Sequence, residues 1–130
     1  MAASAVWLGL LGIGFTFFGA ELAVFTGTGL STTFTLLLQL LGALYLGFAM
    51  LNWMAQGAAI GGIYNRPAAL ANLAHFFIGG MALAKVLLAN PGIDYAFYIM
   101  GLLYVVFALL FGWILFRSPV PQKMFARSEK

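Results

Sequence analysis

The chain has 130 residues, 64% of them hydrophobic and only 7% charged, with a net charge of +3 and no cysteine. Ordinary globular domains are about 45–50% apolar and about 25% charged, so a soluble fold has no way to hide this much apolar surface. The lack of cysteine excludes thiol nucleophiles, disulfide exchange, iron–sulfur clusters and cysteine-ligated zinc.

A helix crosses a hydrocarbon core about 30 Å thick with about 20 mostly apolar residues. Four runs of that length stand between turn signals, and they predict an all-α polytopic protein: one domain over 1–130, folded as an antiparallel four-transmembrane-helix bundle. The first run covers 5–25 and ends at Thr26-Gly-Thr-Gly-Leu-Ser. No Lys or Arg precedes it, so a span is expected there rather than a cleaved leader. The second run covers 33–55 and leads into Gln56 and a glycine-rich connection. Arg66-Pro67 opens the third, 67–89, because proline is tolerated in a helix's first turn. Asn90-Pro91-Gly92 stops it, and Asp94 is placed to cap the fourth, 94–116. The tail, 117–130, contains two prolines and is expected to be flexible or interfacial.

Basic residues collect on the cytoplasmic side of short loops. With four crossings, Arg66, Arg117, Lys123, Arg127 and Lys130 share one side, which predicts cytoplasmic N and C termini. Trp7, Trp53 and Trp113 fall near that same face, and Tyr95 and Tyr98 near the other. The basic tail flanks a membrane and does not form a phosphate-tracking stripe, so nucleic acid is not an expected partner. Helices in lipid associate through close packing of small residues. Gly12 with Thr16, Ala43 with Gly47, and Gly79, Gly80 and Ala84 are the expected close-approach faces.

Ionisable groups inside a span are costly, by about 2.5–3.5 kcal/mol at the helix centre, and each needs a partner or a purpose. Glu21 and Lys85 each lie four residues before the end of an outward-running span, matched in depth and opposite in charge, and an intramembrane ion pair between them is expected. The alternatives are a Lys85 that snorkels to the surface and an unpaired, proton-carrying Glu21. Asn52 and Gln56 share one helix face, as do Asn72 and His75. Asn52, Asn72 and His75, closed by Gln56 or Tyr64, are expected to form a hydrogen-bonded cluster, either interhelical glue or, with Arg66 at its mouth, a ligand-binding site for a headgroup or quinone-like carbonyl. Gln39 has no assigned contact, and Tyr104, near mid-membrane, needs a partner for its hydroxyl.

One histidine without cysteine cannot build the usual zinc site or a bis-histidine haem, and Met50 and Met54 read as filler rather than copper ligands. Gly61-Gly62 lacks the remainder of a phosphate-binding loop. No metal, no cofactor and no catalytic residue is therefore expected.

The segment Leu41-Gly-Ala-Leu-Tyr-Leu-Gly-Phe-Ala-Met-Leu-Asn-Trp and the hairpin Gly61-Gly-Ile-Tyr-Asn-Arg-Pro67 resemble those of small bacterial four-helix membrane proteins described as DoxX-like. The resemblance implies a four-span bundle in a bacterial inner membrane and transfers no catalytic residue. The expected function is a non-enzymatic one: binding of lipid or a small hydrophobic ligand, or service as an accessory subunit of a membrane complex. A small oligomeric transporter or channel is the alternative. Membrane lipids, a membrane-protein partner or further copies of the chain are the expected partners.

Overall fold

The computed structural model describes residues 1–27, 31–57 and 65–117. Tyr64, the connection around it and the basic tail with Lys123, Arg127 and Lys130 lie outside the described residues. Every regular element among those described is a helix: α1 (Ala2–Phe17), α2 (Gly19–Phe25), α3 (Thr32–Ala55), α4 (Asn65–Ala89) and α5 (Tyr95–Arg117). Of these, α3, α4 and α5 are long and apolar enough to cross a membrane, the mark of a membrane protein. Their bounds agree with the expected second, third and fourth spans to within two residues. The chain divides into two compact units, Met1–Gly57 and Ala58–Lys130.

The first span departs from expectation. It is broken at Phe18, whose φ of −112° and ψ of 29° leave the helical region, and α2 departs from α1 at 90°. Sharp kinks arise where glycine loosens the backbone ladder, and here Gly14 and Gly19 flank the break. Gly19 and Ala23 are the buried residues of α2. The bend carries Gly19 onto α3, where an added Cβ would touch Thr35 Cγ2 at 3.6 Å. At the other end of α2 the Thr26 hydroxyl donates to the Leu22 carbonyl at 2.8 Å, and Gly27 turns the chain away with φ of +68°, a left-handed conformation that favours glycine.

In the first unit α1 packs along α3. Buried Ala5, Leu8 and Gly12 on α1 face buried Gly42, Tyr45, Ala49 and Asn52 on α3, each set spaced alternately by three and four residues, the seam of closely packed antiparallel helices. The backbones approach most closely at Gly12 and Gly42. A Cβ on Gly42 would meet the Gly12 carbonyl oxygen and the Thr16 amide nitrogen, each at 2.8 Å. The expected small face of α3 is thus corrected by one residue. Gly42 makes the contact, whereas Ala43 and Gly47 are exposed. The physical reason is Asn52: it lies on the Gly42 face, and a polar amide on a lipid-crossing helix must be turned inward.

In the second unit α4 and α5 form an antiparallel hairpin whose core is aromatic. Phe76 stacks on Phe107 and Phe111, with ring centroids 4.8 and 5.8 Å apart, and meets the Tyr104 ring edge-on at 5.2 Å. Gly79 and Gly80 lie against Tyr104, in line with expectation, but Ala84 is exposed. The turn behaves as its residues predict. Asn90 donates its side-chain amide to the Val86 carbonyl at 3.1 Å, and the Asp94 carboxyl accepts the Ala96 N–H at 2.8 Å as the cap of α5.

Candidate functional site

Polar side chains that reach into the helical hairpins are few, and each unit has its own centre. In the first unit Asn52 is fully buried and Ser4 is 1% exposed. Asn52 Nδ2 donates to Ser4 Oγ at 3.2 Å, and the Ser4 hydroxyl donates to the Met1 carbonyl at 2.7 Å. This chain of hydrogen bonds fastens the start of α1 to the end of α3. With its proton on a backbone carbonyl, Ser4 is arranged for holding helices together, not for nucleophilic attack.

Directly beside this pair runs an apolar groove of about 300 Å³, lined by Ala5, Val6, Ala49, Met50, Trp53 and Met54. Its alanines adjoin the polar pair: Ala5 follows Ser4, and Ala49 lies one turn before Asn52. Small residues open the floor, and the two methionines supply walls that adapt to an occupant. Gln56, at the C-cap of α3, is exposed beyond the same end.

The second centre pairs His75 of α4 with Tyr104 of α5, His75 Nε2 lying 3.4 Å from the phenol oxygen. Tyr104 is 2% exposed and His75 half-buried. With the proton on Nδ1 the phenol donates to Nε2; with the proton on Nε2 the imidazole donates to the phenol. Gly79 makes the arrangement possible, because a Cβ there would come within 2.5 Å of Tyr104 Cε1 and push the ring away. Asn72, fully buried, donates its amide to the Ala68 carbonyl one turn back at 2.8 Å. Arg66, in the first turn of α4, and Lys85, toward its end, are exposed.

Glu21 lies in the first turn of α2 and is exposed. It therefore stands on the short segment that departs from α1 at 90°. Gln39 lines a shallow depression with Ser31, Thr32, Thr35 and Leu36 at the start of α3. Two partners escaped the sequence: Ser4 for Asn52, and Tyr104 for His75. Ser4 sits just before the run of residues taken as the first span. Tyr104 announces its need for a partner, but only the antiparallel register of α4 and α5 shows that His75 meets it.

Compared with known proteins, the chain matches no family model, no curated protein and no solved structure.

Proposed function

We propose that this chain is a non-enzymatic integral membrane protein of a bacterial inner membrane, crossing it four times with both termini in the cytoplasm. In this reading it binds one chain of a lipid or a similar small hydrophobic ligand, alone or as an accessory subunit of a larger complex. The positive-inside distribution of Arg66, Arg117, Lys123, Arg127 and Lys130 supports the orientation. The resemblance of the central segment to DoxX-like proteins fits the same architecture.

The observation that carries the binding reading is the groove beside Ser4 and Asn52. Ligand sites are concave, mostly apolar, and about 300–1,000 Å³, with a small number of polar groups nearby to fix orientation. The α1–α3 groove has that size and that lining, and Trp53 stands at its end, where indole rings favour the membrane interface. An acyl or isoprenoid chain lying in it replaces contacts with bulk lipid by contacts with a fixed wall. Native mass spectrometry of protein extracted gently from its own membrane tests this. The expected result is a reproducible non-protein mass that is retained by the native chain and lost on Val6→Trp, which fills the groove from an exposed position. A native chain that carries no such mass, or a mass retained unchanged by Val6→Trp, would refute the assignment.

A further inference from the structure

Glu21 is a charged residue in the middle of an apolar stretch, and the position of α2 explains what it is doing there. The contacts of the first unit run in order along α3: Ser4 bonds to Asn52, Gly9 faces Ala49, Gly12 faces Gly42 and Leu46, and Gly19 faces Thr35 and Leu38. A re-entrant segment would turn back toward the level from which it started. Here the level advances at every step, from Asn52 to Thr35, seventeen residues of α3, or about 26 Å at 1.5 Å per residue.

The lengths fit one crossing with a foot. The 16 residues of α1 span about 24 Å, short of a core about 30 Å thick. Laid across the end of α1 at 90°, a helix about 10–12 Å in diameter makes up the difference. The side chains of α2 match that position. Gly19 and Ala23 turn toward α3, and Glu21 projects from the opposite side, flanked by Val24 and Phe25 three and four residues on; these two, and Phe17 and Phe18 at the break, are all more than half exposed. Interfacial helices place apolar side chains about 5–10 Å into the boundary between headgroups and acyl chains and keep their charges at headgroup level.

We infer that α1 and α2 together cross the bilayer once, and that α2 lies flat in the far boundary as a lipid-surface anchor, holding Glu21 at headgroup level. The inference rests on α3 crossing the membrane and is independent of any ligand in the groove. It removes the cost of holding Glu21 within the hydrocarbon.

Because the chain has no cysteine, single-cysteine variants carry one spin label each. Ala20→Cys, Glu21→Cys, Val24→Cys and Phe25→Cys, with Leu44→Cys on α3 as the depth reference, are all exposed positions. Each full-length variant is placed in phosphatidylcholine–phosphatidylglycerol vesicles, and depth is read from relaxation by oxygen against a nickel chelate. All four α2 sites are expected in the shallow boundary, their depths following the helix face each occupies and not their order in the chain, with Leu44 deeper than their mean by about 10 Å, the rise of roughly seven helical residues. Depths that step by about 1.5 Å per residue through α2, as in a helix continuing along the span, would overturn the proposal while leaving α3 as a crossing. So would labelling of Ala3→Cys and Gly27→Cys by an impermeant reagent from the same side. A shallow Leu44 would overturn both the proposal and the membrane reading beneath it.

Discussion

The two helical hairpins solve one problem by different means. In lipid there is little hydrophobic drive between helices, so adhesion comes from van der Waals contact and a few hydrogen bonds. The α1–α3 pair gains contact by bringing backbone to backbone at Gly12 and Gly42, with a broken helix folded across its end. The α4–α5 pair keeps its helices whole and fills the gap with rings, Phe76, Tyr104, Phe107 and Phe111. The first hairpin is tightest where backbone meets backbone, at Gly42; the second is tight where Gly79 meets a side chain, the Tyr104 ring, and depends most on the volume its rings fill. Each also joins its helices by a side-chain hydrogen bond: Asn52 to Ser4, and His75 with Tyr104.

The largest effect is expected from breaking the ring stack. Phe76→Ala removes a fully buried side chain and is expected to cost about 3 kcal/mol or more, the usual range for losing a core phenylalanine. Gly42→Ala tests the opposite vulnerability. Its methyl group would meet the Gly12 carbonyl and the Thr16 amide, backbone atoms that do not rotate away, and about 1–3 kcal/mol of destabilisation is expected from overpacking. Both are read by reversible unfolding of the full chain in micelles. If Gly42→Ala is neutral, the two hairpins do not differ in the way their contacts imply.

The hydrogen bonds should matter less. Interhelical hydrogen bonds in membrane proteins contribute about 0.6 kcal/mol on average, with a maximum of about 1.7. The His75–Tyr104 bond is long at 3.4 Å, so Tyr104→Phe, which keeps the ring, is expected to cost about 0.5 kcal/mol. Ser4→Ala deprives a fully buried amide of an acceptor and should cost nearer 1 kcal/mol. A double-mutant cycle between positions 75 and 104 checks the first figure. A coupling above about 2 kcal/mol would mark the pair as more than an ordinary interhelical bond.

Much of this was legible in the chain. The long helices follow from apolar length, and their ends from Asn90-Pro91-Gly92, Asp94 and Thr26, because glycine, proline and capping residues act locally. Which face of each helix is buried was much less legible. A soluble helix marks its buried face by contrast with a polar one, but α3 and α5 are apolar on nearly every side, so periodicity carries little signal. Small residues alone pointed to Ala43 with Gly47, whereas the buried face, shared with Asn52, is that of Gly42. The break at Phe18 was hidden for a related reason. Phe17, Phe18 and Gly19 are as apolar as a continuous span requires, and the one charge in the run, Glu21, falls three residues after the break. Of the expected site residues, Asn52 and Asn72 are buried and His75 half-buried. The partners Ser4 and Tyr104 depend on helix register, which no local pattern encodes.

Gly47→Ala, the one substitution here expected to carry no loss, probes that distinction most directly. Gly47 stands one turn after Ala43 on an exposed side of α3, and a Cβ added there meets no described atom within 4 Å. Glycine inside a helix is less favourable than alanine by about 0.8–1.0 kcal/mol, so the substitution should leave stability unchanged or raise it by up to about 1 kcal/mol. The contrast with Gly42→Ala is the point of the experiment, since both replace a glycine on the same helix and only one opens onto a neighbouring backbone. A loss at position 47 that grows as the protein is diluted in detergent would mean that a second copy of the chain rests on this face. The stripe of Ala43 and Gly47 would then be a close-approach surface after all, between molecules and not within one.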